Sequence, residues 1–376
     1  MFPYDLAEIA SQFQIEGKIL NAEPYGTGHI NETYASRFQT KQGIYRYVHQ
    51  RINQHVFKDP IKVMDNVIRV TQHIRSNLLE SGRNPDRECL NLIATRQGQF
   101  YFQAADEAFW RTYQLIEGAR TYDVPQNINQ VHAAARAYGR FQKLLATLPG
   151  ERLHETIPDF HNTPKRLQNF LHALENDLCN RAKEIQVEIN FILDRENDTQ
   201  LVVNQMASGV IPERVAHNDT KLNNVLIDDD TGAGVCVIDL DTTMPGSILY
   251  DFGDMVRSGT AATPEDEPDL SKVSLNLKNF ELIAQGYLQE ARQFLTSAEW
   301  QYLPLAGKII TFEQAIRFLT DYLNGDVYYK IHHPNHNLQR ARTQIKLVAE
   351  MEQQMEEFHT IIENSYQSIE EVERNN

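Results

Sequence analysis

From Asn129 onward the apolar residues recur at helical spacing, and one stretch breaks that pattern: RVAHNDTKLNNVLIDDDTGAGVCVIDLDTTMPG, residues 214–246. Within it NVLID and VCVID are short apolar runs, and DDDTGAG between them is turn chemistry, so the stretch predicts a β-hairpin set among helices. A hairpin brings the residues before its first strand and after its second to one end. His217, Asn218 and Asp219 precede the hairpin, Asn224 begins its first strand, and Asp239 ends its second. Around it the periodicity predicts helices over 250–258, 276–295, 297–323 and 335–362. In the last of these Leu338, Ala341, Ile345, Val348, Met351, Met355, Phe358 and Ile362 form a stripe. Such a stripe fits packing on the chain's own core or the seam of a coiled coil.

The first 115 residues read differently. After a short amphipathic helix over 5–13, the segments GKILNAEPY, INETYASRFQT and IYRYVHQRI alternate and are separated by glycine-containing turns, as in an antiparallel sheet. A helix is predicted over 60–81, then a hairpin in LNLIATRQGQFYFQ turning at Gln97-Gly98, then the strand AFWRTYQLI. In EGARTYDVP the Gly and Pro interrupt regular structure and the period changes from two to about 3.6. The lobe boundary is placed there, giving residues 1–116 as a small sheet lobe and 117–376 as a helical one. A chain of 376 residues also exceeds the roughly 100–200 expected of one domain.

Composition narrows the function classes. A formal net charge of −15 argues against a nucleic-acid partner, because a phosphate backbone is held by clustered Lys and Arg. Cys89, Cys179 and Cys236 are far apart, odd in number and without metal-ligand spacing, which fits a reducing compartment. The N-terminus has no basic segment leading into an apolar run, and no stretch of ~18 apolar residues occurs. A cytoplasmic protein with no membrane partner is expected.

The residues around the hairpin suit phosphoryl transfer, which needs a carboxylate to orient or deprotonate a hydroxyl and oxygen ligands for magnesium. Asp219 is the candidate catalytic carboxylate, and Asn224 and Asp239 are the candidate metal ligands. The spacing, with Asn five residues after the Asp and a second Asp after another strand, parallels the protein-kinase catalytic loop. His217 reads as a hydrogen bonder that organises the loop. The alternative is that Asp219, Asn223 and Asn224 merely cap turns. Asp241 would point to the same side as Asp239 in an extended chain, to support metal or sugar, or else be a solvated turn carboxylate. Asp251 and Asp254 sit at a helix start, where they would cap it or hold the loop.

The pattern HNDTKLNN followed by VID resembles the aminoglycoside phosphotransferase and choline kinase-like family. In the same order along nearly the whole chain, YGTGHINETY, HNDTKLNN, VIDLDTTMPGSILYDFGD, IRFLTDYLNGDVYY and HNLQRARTQIKLV resemble the bacterial N-acetylhexosamine 1-kinases. The resemblance implies an α+β, bilobal protein-kinase-like fold with a small antiparallel-sheet N-lobe and a mainly helical C-lobe. It implies ATP and Mg2+, with phosphate transfer to the anomeric hydroxyl of N-acetylglucosamine or N-acetylgalactosamine. His29 and Asn31 would reach the sugar or the phosphates, Arg317 and Tyr328 would contact the sugar, and Asp219 would meet its hydroxyl.

Gly26, Thr27 and Gly28 lie between two predicted strands, where small residues let backbone N–H groups approach phosphates, although two glycines also make an ordinary turn. The adenine would lie against the 113–117 connection, at Ile116. Arg317 and Asp321 could equally form a surface i,i+4 pair. One departure from the kinase pattern stands out: where a strand Lys should hold the phosphates, YVHQR offers Gln50, with Arg51 beside it. That leaves the phosphate contact unassigned and keeps open a nucleotide-binding protein without transfer activity. A kinase for choline, an aminoglycoside or homoserine is the other alternative. For a cationic acceptor, PEDEPDL at 264–270 would supply carboxylates or would be a solvated loop.

Overall fold

The computed structural model describes residues 4–26 and 30–375, with side chains described to residue 369. The chain divides into two compact units. One comprises Met1–Arg120, Thr147–Pro158 and Val225–Met244, the other Thr121–Ala146, Asp159–Asn224 and Pro245–Asn376.

The first unit is built on an antiparallel sheet of β1 (Lys18–Pro24), β2 (Glu32–Gln39), β3 (Ile44–Arg51), β4 (Phe102–Gln103) and β5 (Phe109–Gln114), in the order β1-β2-β3-β5-β4. The strands form where alternation and β-branched or aromatic residues predict them. β5 is buried from Phe109 to Tyr113, so both faces of the sheet are covered. Strand alternation sends Trp110 to one face, where it packs with Leu6, Ile9, Phe13, Tyr34 and Phe38 under the helix Leu6–Ser11. It sends Arg111 to the other, 4.0 Å from Met64 of the helix Pro60–Glu80. That helix starts as its sequence predicts, with Asp59 capping Lys62 N–H and Pro60 in the first turn. The hairpin also forms, Val225–Asp228 pairing with Gly234–Val237.

A hairpin turning at Gln97-Gly98 does not form as expected. The turn is present, Gly98 N–H bonding Thr95 O, but its arms go to different partners: Leu92 bridges Tyr113, Thr95 bridges Phe13, and β4 pairs with β5.

Across the sheet, Ser36 Oγ lies 2.7 Å from His49 Nε2 and Thr112 Oγ1 lies 2.9 Å from His49 Nδ1, all three side chains buried. Burial pushes His49 from its ordinary 6.5 down to about 4. The folded state therefore keeps His49 neutral where the unfolded chain already takes up a proton, so stability is lost as pH falls below 6.5. Between pH 7.5 and pH 5 this group contributes a loss of about 2 kcal/mol. Urea unfolding at the two pH values, with His49→Gln as reference, reads it as the part of the pH dependence missing from the variant.

The second unit is helical. Its central helix, Ser297–Leu323, opens with a capping box between Thr296 and Glu299 and is apolar on nearly all sides. Phe312, Ile316, Leu319 and Leu323 from it pack with Leu167, Phe170, Ile189, Leu338 and Val348. The helix Ile248–Thr260 lies directly on its backbone: a Cβ on Gly253 would sit 2.4 Å from Ala306 O, and one on Gly307 2.4 Å from Val256 Cγ1. Only glycine permits that approach, and it fixes the helix that carries Asp251.

The single long helix expected over 335–362 is instead two, His336–Gln353 and Met355–Asn375. Gln354 leaves helical geometry at φ −105°, ψ 17° without any Pro or Gly to signal it. The two pieces serve different neighbours. Val348 joins the core around Ser297–Leu323, whereas Phe358 stacks on Phe280 at 3.7 Å from the helix Leu277–Ala291. Six of the eight stripe residues are buried and Ile345 and Met355 half-buried, so the stripe closes this unit's own core. Among the described residues no helix is long and apolar enough to cross a membrane.

Candidate active site

In the second unit the strand Arg214–Ala216 runs into the loop that carries Asp219. Asn218 is left-handed, φ +65°, a conformation that Asn tolerates better than most residues. It is clamped from both sides. The backbone N–H groups of His217 and Asn218 donate to the Asp251 carboxylate at 2.9 and 2.7 Å, and Gln142 Nε2 donates to it at 2.6 Å. Asn218 O accepts from His161 Nε2 at 3.1 Å. Thr220 Oγ1 donates to Asp251 O, and Ser247, not Asp251 or Asp254, caps the helix. His217 is buried against Tyr138 and Phe141, with its Nδ1 3.3 Å from Asp219 N, which is the organising role its position suggests.

Asp219 and Asn224 are in direct contact. Asn224 Nδ2 donates to Asp219 Oδ2 at 3.1 Å and to Asp219 O at 2.9 Å, and Asn224 Oδ1 accepts no hydrogen bond from any described residue. Burial opposes the charge of Asp219. The Lys221 ammonium, 3.0 Å from Oδ1, and then His217 and Arg257 outweigh it and hold the carboxyl below its ordinary value. Asp219 is thus an ionised carboxylate with a fixed direction.

Asp239 belongs to the first unit. It is left-handed, φ +59°, and opens a tight turn over Leu240–Thr242. That turn overturns both expectations for Asp241. The chain is not extended there, and Asp241, 1% exposed, faces inward: it forms a buried ion pair with Arg111 and accepts from Asn31 Nδ2 at 2.6 Å. Asn66 ties the same turn to the helix Pro60–Glu80 by donating to Thr243 O at 3.0 Å.

Gln50 is explained by the register. It lies opposite Arg111, and its Oε1 accepts from Arg111 Nε and Nη2 at 3.0 and 2.9 Å. Burial disfavours the guanidinium, but Asp241, Tyr113 and Asp239 keep it charged. A buried cation thus sits on β5 opposite Gln50, engaged by Gln50 and Asp241. A lone arginine inside the apolar strand AFWRTYQLI is the signal that could have found it.

Of the other expected site residues, Gly26 has φ +80° and open space around it, and Ile116 is buried just beyond β5. Asn31 is committed, donating to Asp241 and accepting Asn53 N–H at 3.0 Å. Thr27, Gly28 and His29 lie outside the described residues.

Arg317 does not pair with Asp321. Asp321 accepts the backbone N–H groups of Val327, Tyr328 and Tyr329, together with Asn337 Nδ2, and so holds the segment that follows its helix. Tyr328 is 63% exposed and packs edge-on against Tyr329. Two further residues, His161 and Glu313, escaped the sequence reading: Glu313, 1% exposed, accepts from Thr163 Oγ1 at 2.8 Å and lies 2.8 Å from His161 Nδ1. In PEDEPDL, Glu265 pairs with Arg257 at 2.7 Å and Asp266 with His336 at 2.9 Å, so these carboxylates are neither free for a cation nor merely solvated.

Among the described residues no group of three or more His, Cys, Asp or Glu could cage a metal. Magnesium does not require one, since it usually takes one or two protein oxygens and completes its shell with water and phosphate.

Solved structures with the same architecture are distant in sequence. A spectinomycin phosphotransferase in complex with ADP and spectinomycin is 13% identical, covering 94% of this chain and 99% of its own, at a TM-score of 0.58. An aminoglycoside phosphotransferase from Alicyclobacillus acidocaldarius is 12% identical over 95% and 98%, at 0.59. A choline kinase from Cryptosporidium parvum is 14% identical over 96% and 98%, at 0.51. These likenesses give the fold, an antiparallel sheet region followed by a helical region of the protein-kinase-like class. Residues 21–276, which hold the sheet, the Asp219 loop and the Asp239 turn, match the model of the phosphotransferase enzyme family, and the chain belongs to that family.

Proposed function

We propose that the protein is a cytoplasmic, ATP- and Mg2+-dependent kinase that transfers the γ-phosphate to the anomeric C1 hydroxyl of N-acetylhexosamines, N-acetylglucosamine or N-acetylgalactosamine. The observation that carries the reading is Asp219, ionised, clamped through its loop, and hydrogen-bonded to an Asn224 whose Oδ1 is unspent. Asp219 orients the sugar hydroxyl and accepts its proton as the new O–P bond forms and the bond to the ADP oxygen breaks. The anomeric hydroxyl is more acidic than an ordinary alcohol, since the ring oxygen withdraws charge, so position matters more than base strength.

Asn224 Oδ1 and the Asp239 carboxylate suit a hard cation, and both are assigned to Mg2+. Mg2+ held there would neutralise charge on the transferring phosphate. Gly26, Thr27 and Gly28 offer backbone N–H groups to the phosphates, Ile116 packs on adenine, and His29, Asn31, Arg317 and Tyr328 contact the sugar. For Asn31 the second amide hydrogen and the second lone pair of Oδ1 serve that role.

The missing strand Lys keeps a binding protein without transfer activity as a competing reading, since Arg111 is spent on Gln50 and Asp241. Kinases for choline or aminoglycosides share the fold and set the competing reading. Product formation from ATP and Mg2+ with N-acetylglucosamine, N-acetylgalactosamine, glucose, choline and an aminoglycoside decides between them. The sugars are expected to react and the amines not, and a preference for choline would overturn the assignment.

A further inference from the structure

Two guanidinium groups in the helical unit interact with each other, and neither hydrogen-bonds to a carboxylate among the described residues. Arg166, in the helix Thr163–Asn176, donates from Nη2 to Phe160 O at 2.7 Å, and its Nε is buried with no hydrogen-bond partner. Arg317 donates from Nη1 to Gln314 Oε1 at 3.1 Å and stands over the rings of Phe160 and Tyr329, 5.5 and 5.8 Å from their centres. Glu313 is the carboxylate that acts on both, yet its two oxygens are engaged by His161 Nδ1 and Thr163 Oγ1. Burial, then the charge of Arg317, pushes Arg166 below its ordinary value.

Two like charges side by side are costly, and an oxygen-bearing ligand accepting from their remaining Nη hydrogens would relieve that cost. The same group is tied to the chemistry. His161 bonds Glu313 with one ring nitrogen and the carbonyl of Asn218, the residue before Asp219, with the other. Phe160, Tyr328 and Tyr329 supply the aromatic wall that a sugar ring needs.

We infer that Arg166 and Arg317 together form an acceptor subsite for uncharged or anionic oxygen-rich groups, here the N-acyl and hydroxyl oxygens of the sugar, and that Arg166 is its specificity-determining residue against amines. This rests on the kinase reading above. An ammonium at the same place would be repelled by two guanidinium groups, whereas a carbonyl oxygen accepts from their fixed forks.

The test compares N-acetylglucosamine with glucosamine, which carries an ammonium where the former carries an acetamide. The wild type is expected to prefer N-acetylglucosamine in kcat/KM. Arg166→Gln should raise KM for N-acetylglucosamine roughly tenfold or more, leave KM for ATP unchanged, and narrow the preference over glucosamine. Arg166→Lys keeps the charge without the fork, and should raise the same KM while retaining discrimination against the amine. If N-acetylglucosamine is a substrate and neither variant moves its KM or the preference, the subsite is wrong and the kinase reading stands. A wild type that phosphorylates glucosamine or choline better than N-acetylglucosamine overturns both.

Discussion

Asp219→Asn is expected to lower kcat by about 10²–10⁴-fold while ATP binding stays measurable. The amide has the size of the carboxylate and can still accept from Asn224 Nδ2, so the loop keeps its shape. The anchors of that loop also lie outside the substituted side chain: Asp251 holds the N–H groups of His217 and Asn218, and His161 holds the carbonyl of Asn218. What is lost is a proton acceptor and the negative charge that Lys221 neutralises. Turnover measured at saturating ATP, beside nucleotide binding by calorimetry, separates the two effects. Retained turnover would remove Asp219 from the mechanism.

Arg111→Met is expected to cost about 3–5 kcal/mol of stability, because it leaves the Asp241 carboxylate buried with Asn31 as its remaining side-chain partner. Removing both charges, in Arg111→Met with Asp241→Leu, should recover much of that loss, since a buried pair is worth less than the penalty for breaking it. Amide exchange in β5 and β3 reads the first unit without assuming that the whole chain unfolds at once. The same single variant should weaken Mg2+-dependent turnover, since Asp241 fixes the turn that Asp239 opens. Equal stability of the single and double variants would show that the pair is not the element that holds the turn.

The sequence was legible wherever a single period dominated. Alternation located β1, β2, β3 and β5, apolar spacing located the helix Pro60–Glu80, and the hairpin announced itself as the exception among helices. Local spacing also brought Asp219 and Asn224 together, because five residues of one loop separate them. It failed where the decisive partner lies far along the chain. Asp241 looked like a turn carboxylate because Arg111 is 130 residues away, and Glu313 passed unnoticed because His161 is 152 residues away. The break at Gln354 has no local cause either, since it follows from two halves of one apolar stripe packing on different helices. Left-handed Asn218 and Asp239 belong to the same class: each is a permitted conformation chosen by the contacts around it.

The most direct test of the account is the fate of the anomeric oxygen. N-acetylglucosamine labelled with ¹⁸O at C1, incubated with the protein, ATP and Mg2+, should give a sugar phosphate whose ³¹P resonance is coupled to H1 and carries the isotope shift of a bridging ¹⁸O. Phosphate attached at any other hydroxyl, or release of inorganic phosphate alone, would contradict it.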